Sequence, residues 1–126
     1  MNEIGYKINN LIANGYWPDN QQGFLDMCAY KVIYNLSIPR TRNVLFKLMS
    51  RIEEPTVMQM LFKIHSSFKL KGFGKKSLEE FGSILNWYGI QIRLSGDRYI
   101  MNIYSENNKV RERFINNLHE SVQEVK

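Results

Sequence analysis

The sequence predicts a mainly α-helical domain closed by a small β-hairpin and a last helix, and three observations carry the prediction. Apolar residues recur at a spacing near 3.6 over most of the chain, the spacing changes to strict alternation after Gly89, and glycine, proline and asparagine mark the boundaries. With 126 residues, 44% of them hydrophobic and 13% aromatic, the chain can bury one core, which excludes most multidomain enzymes and intrinsic disorder.

Ile4, Ile8, Leu11 and Ile12 share one helical face between Asn2 and Asn14, and Gly15 is a natural stop. Tyr16 to Asn20 is turn chemistry. Phe24, Leu25, Cys28, Ala29, Val32 and Leu36 then form one broad stripe, predicting a single second helix with Cys28 as a small buried hydrophobe. Pro39 fits the first turn of a third helix running through Leu45 and Leu48. Pro55-Thr56 restarts the chain, and Val57, Met60, Leu61 and Ile64 again follow a helical period, with a shorter turn from Lys63 to Ser67. Leu70 to Lys76 reads as a tight glycine turn. Ser77 and Glu80 supply the S-x-x-E pattern of a capping box, and Leu78, Phe81, Ile84, Leu85 and Tyr88 give the next helix its apolar face up to Gly89.

Beyond Gly89, Ile90, Ile92 and Leu94 alternate, Ser95 to Arg98 turns, and Tyr99, Met101 and Ile103 alternate again, predicting a β-hairpin that needs a surface to pack on. Either the helical core or a partner subunit supplies it. If Tyr99, Met101 and Tyr104 share one face, that face is a dimer or partner surface, so a homodimer stays open. Trp17, Trp87 and Tyr88 are undecided between core and surface. Val110, Phe114, Leu118 and Val122 predict the C-terminal helix after Asn107-Asn108.

The formal charge of +5 is unevenly spread. From Pro39 to Ser77 nine basic residues face only Glu53 and Glu54, while the remainder of the chain is slightly acidic. Such a basic middle suits an anionic partner such as nucleic acid, although a solvated lysine face has the same composition. The single Cys28 excludes an internal disulfide, and no secretory leader or bilayer-length apolar run is visible, so a cytoplasmic location without membrane attachment is expected.

Gly72-Phe73-Gly74-Lys75-Lys76-Ser77 lacks the G-x-x-x-x-G-K-S/T spacing of a P-loop and the third glycine of a dinucleotide fingerprint. Cys28, His65 and His119 are too few and too scattered for a zinc signature or a nucleophile pair, and the adjacent Glu79-Glu80 point in different helix directions. No enzyme, metal or cofactor is therefore expected. Helix, Gly-Phe-Gly turn, helix is instead the pattern of a helix-hairpin-helix. Its glycines turn the backbone tightly beside a helix N-terminus, where N–H groups, Lys75, Lys76 and the Ser77 hydroxyl can meet a phosphate. Phe73 between the glycines reads as a core plug.

Arg40-Thr41-Arg42-Asn43-Val44-Leu45, Thr56-Val57 and the block Lys71 to Glu80 resemble the C-terminal domain of the bacterial RNA polymerase alpha subunit. The resemblance spans Ser37 to Ile92. It divides the chain into an N-terminal helical extension (1–36), a helix-hairpin-helix core (37–92) and a completing hairpin with the last helix (93–126), expected as one compact unit. It implies binding to the minor groove of A·T-rich double-stranded DNA, with RNA polymerase, sigma factor or activators as protein partners. By position it implies that Arg40 enters the minor groove beside Asn43. Gly74, Lys76 and Ser77 match the phosphate-contacting residues, and Glu80 matches an acidic residue that helps orient the arginine; Gly72 shapes the turn and Lys75 adds charge beside it. Pro39 before Arg40, the charged Arg42, and Val44 depart from that family's pattern. The function expected is a small transcription regulator or accessory factor; the alternative is a protein-interaction module that mimics the polymerase domain and occupies one of its partners.

Overall fold

The computed structural model describes residues 3–65, 67 and 70–104, with side chains from residue 6 onward. Helix α1 (Glu3–Ala13) ends where Gly15 takes a φ of +76°, a conformation that side chains disfavour, and the Tyr16 and Trp17 N–H groups both donate back to Leu11 O. Asn20 then opens α2 (Gln21–Asp26) as a side-chain cap, accepting from the Gly23 N–H at 2.7 Å.

The single helix predicted through Cys28 is two helices, α2 and α3 (Ala29–Tyr34). Met27 and Cys28 are extended, and Cys28 pairs with Thr56 in an isolated antiparallel bridge: the Ala29 N–H donates to Pro55 O at 2.7 Å and the Val57 N–H to Met27 O at 2.8 Å. The apolar period runs through the break because both helices bury the same side, with Phe24, Leu25, Ala29, Val32 and Ile33 in the core. Half-buried Cys28 sits in the bridge instead of on a helix.

Helix α4 (Pro39–Met49) starts with Pro39 in its first turn, as predicted. Helix α5 (Val57–His65) is opened by a reciprocal cap invisible to the hydrophobic period: the Thr56 N–H donates to Gln59 Oε1 at 2.9 Å while the Gln59 N–H donates to Thr56 Oγ1 at 3.2 Å. Helix α6 (Lys75–Trp87) stops before Gly89, whose φ is +74° and where a Cβ would lie 2.5 Å from Tyr104 O.

Strands β1 (Ile90–Ser95) and β2 (Arg98–Ile103) pair antiparallel, Ile90 opposite Ile103 and Ser95 opposite Arg98, around a two-residue turn whose first residue, Gly96, has a φ of +63°. Strand β1 packs on α6 and β2 on α5, so the helical core is what the hairpin covers. Tyr99, Met101 and Ile103 point inward, and Tyr104 is exposed. The three residues considered for a dimer surface therefore do not share a free face. Phe24 stacks on Tyr88 at 4.0 Å, and Phe73 meets Phe81 and Tyr99 edge-on at 5.8 and 5.7 Å. Trp17 and Tyr88 are buried and Trp87 is exposed. The described architecture is mainly α with one two-stranded antiparallel sheet. The helix predicted after Asn108 lies outside the described residues, and no described helix is long and apolar enough to cross a membrane.

Candidate nucleic-acid interface

Leu70 to Gly74 form the tight turn the glycines predict. The Phe73 N–H donates to Leu70 O at 3.1 Å, and Gly72 takes the positive φ, +90°, that this reversal requires. The Phe73 ring is driven into the core, which pins the turn from beneath. Gly74 is the N-cap of α6 and offers no side chain to its first turn; the first intrahelical bond is donated by the Leu78 N–H to Gly74 O at 2.9 Å. The N–H groups of Lys75, Lys76 and Ser77 consequently have no acceptor within the helix.

The predicted Ser77–Glu80 capping box does not form, because the N-cap of α6 is Gly74, three residues before Ser77, and both side chains have tertiary partners. Ser77, 4% exposed, shares a hydrogen bond between hydroxyls with the fully buried Thr41. Glu80 accepts from the Ser37 N–H at 3.0 and 3.1 Å and from the Ser37 hydroxyl at 2.6 Å. The carboxylate is thus spent on the chain entering α4, and among the described residues it forms no ion pair with Arg40. Its position just before α4 also complements the positive end of that helix dipole.

Thr41 and Ser77 each occupy the third position of a helix, so their contact sets the amino ends of α4 and α6 side by side. Neither helix has a side-chain cap. Gly72 is seated directly on α4: a Cβ there would lie 2.9 Å from Val44 Cγ2 and 3.2 Å from both Arg40 Cγ and Nε. Arg40 and the glycine turn, 32 positions apart in sequence, therefore form one edge with Gly74, Lys75 and Lys76. Arg40, Lys71, Lys75 and Lys76 are all exposed, and none has a hydrogen-bond or ion-pair partner among the described residues. Asn43, also exposed, lies one turn further along α4. Arg42 is turned away and donates from Nη1 to Leu36 O at 2.6 Å.

Sequence reasoning missed Ser37 and Thr41, which fix the edge from the α4 side. Hydroxyl residues flanking a predicted helix start were the available signal, but nothing in one dimension names a partner 36 or 43 residues away. Among the described residues no three His, Cys, Asp or Glu side chains gather where they could hold a metal ion. No family model, curated protein or solved structure matches the chain.

Proposed function

We propose that this edge binds double-stranded DNA and that the protein acts as a transcription regulator or accessory factor. In this reading α5, the Gly72–Gly74 turn and α6 work as a helix-hairpin-helix. Lys75, Lys76 and the free N–H groups of the first turn of α6 take the phosphates, and Ser77 contributes through its N–H because its hydroxyl is held by Thr41. Arg40, with Asn43 beside it, reaches into the minor groove, where width and potential favour A·T steps. The observation that carries the reading is the seating of Gly72 against the stem of Arg40, which joins a groove-reading side chain to a phosphate-binding turn. The mimicry alternative draws on apolar surface of the hairpin and the last helix; Tyr99, Met101 and Ile103 of the hairpin are buried against the helical core, and the last helix lies outside the described residues.

The test is a salt series on A·T-rich and G·C-rich duplexes of equal length, followed by fluorescence anisotropy. Affinity falls steeply with salt, by about one decade per decade of salt for each phosphate neutralised. Lys76→Ala weakens both duplexes alike, and Arg40→Ala removes the A·T preference. No binding at low salt, or variants indistinguishable from the parent, overturns the assignment.

A further inference from the structure

The other flank of α4 carries aromatic rings instead of lysines. Phe46 sits beside Lys47 and three residues beyond Asn43, and its ring meets Tyr34 edge-on at 5.1 Å and Tyr30 at 5.7 Å; the two tyrosines are 6.5 Å apart. Tyr30 and Phe46 are half-buried, but Tyr34 is 70% exposed, and its hydroxyl has no hydrogen-bond partner among the described residues. Core packing accounts for the first two rings and leaves the third unexplained.

Charge along this stretch of the chain is of one sign. No acidic residue occurs from Met27 to Ile52, a stretch that holds Lys31, Arg40, Arg42, Lys47 and Arg51. Arg40, Asn43 and Lys47, all exposed, follow one another along α4 at steps of three and four, so they line one side of the helix, and exposed Arg51 lies in the turn just past its end. The aromatic cluster borders that side roughly 9 Å along the axis from Arg40, six residues at the helical rise. A basic track beside an exposed ring is what unpaired nucleotides require, because cations follow the backbone while rings stack on bases of any identity.

We propose that Tyr34, supported by Tyr30 and Phe46, is a stacking platform for unpaired bases, so that the preferred ligand is a duplex with an adjoining single strand. The inference rests on the nucleic-acid reading of the basic edge and adds a second contact to it. Duplex binds at Arg40 and the glycine turn; the displaced or overhanging strand runs along Lys47 toward Tyr34.

The experiment measures anisotropy of the full chain with a blunt duplex and with the same duplex carrying an overhang of about eight thymidines, within the span of single-strand sites. The overhang tightens binding. Tyr34→Ala abolishes that gain, roughly tenfold for one stacked base, and leaves the blunt duplex unchanged, whereas Tyr34→Phe keeps the gain because stacking needs the ring and not the hydroxyl. Lys76→Ala weakens both probes. Equal affinity for the two probes, equal weakening of both by Tyr34→Ala, or loss of the gain in Tyr34→Phe overturns the platform while the duplex site stands. Failure of the protein to bind either probe overturns the duplex site and the platform together. A thermal melt of Tyr34→Ala matching the parent shows that the fold is intact, as expected for so exposed a side chain.

Discussion

The two ends of α6 are held by different forces. Toward its carboxyl end Phe81, Ile84, Leu85 and Tyr88 are buried against β1 and Phe24, and apolar contact dominates there, with one side-chain hydrogen bond among these residues, from the Tyr88 hydroxyl to Pro18 O. At its amino end Gly74, Lys75 and Lys76 stand in solvent, and beyond the buried Phe73 that end is tied to α4 by one pair of hydroxyls and to Ser37 by one carboxylate. Apolar burial is strong and non-directional, so it holds the helix in the core but tolerates rotation and sliding. Hydrogen bonds contribute less but fix register, and register decides what the exposed turn presents. Stability and binding should therefore separate along this one helix.

The largest effect belongs to the apolar end. Phe81→Ala removes a fully buried ring that meets Phe73 edge-on and should cost about 3–5 kcal/mol, read as a lowered urea midpoint at unchanged slope. Because Phe73 sits in the glycine turn, this substitution also shows how far core disorder reaches the basic edge. A loss well under about 1 kcal/mol would mean that the core collapses around the gap and that the contrast between the ends is weaker than the burial indicates.

Gly72→Ala addresses the junction of the two regimes. Its φ of +90° disfavours any side chain, and the added Cβ meets the Val44 methyl at 2.9 Å. A destabilisation of about 1–3 kcal/mol is expected, with A·T preference reduced further than stability alone explains, since Arg40 must shift to make room. Gly74→Ala is the control: its φ is −85° and nothing lies within 4 Å of the new Cβ, so the stability change stays within about 1 kcal/mol. Equal effects of the two substitutions would break the link between Gly72 and Arg40.

The contrast between the ends also explains what the sequence could reveal. Helix α6, the hairpin and the inward Phe73 follow from periodicity and turn residues, because burial acts through local spacing. The bridge at Cys28 does not, since an apolar stripe is the same whether one helix or two present it. Ser77 and Glu80 show the opposite failure. Their spacing matches a capping box, yet Thr41 on α4 and Ser37 in the segment leading into it bind them instead, and a local rule cannot weigh a tertiary competitor. The grouping of Arg40 with Gly72 entered through family resemblance, because 32 intervening residues carry no local signal of their contact.

The smallest effect appears only at alkaline pH and tests the apolar end without removing a ring. The Tyr88 hydroxyl donates to Pro18 O at 2.6 Å, and burial, aided by the nearby negative charge of Asp19, pushes its pKa up to about 12. An unfolded tyrosine ionises near 10, so between about pH 10 and 12 the unfolded chain loses a proton that the folded chain keeps. The corresponding stability is complete below pH 10 and is lost as the pH rises through this window. Tyr88→Phe keeps the stack on Phe24 and removes the ionisation, so the difference in urea midpoint between parent and variant should narrow steadily above pH 10 and favour the variant by pH 12. A difference that stays constant across that window would place the hydroxyl in contact with water and remove the burial on which this end of the helix depends.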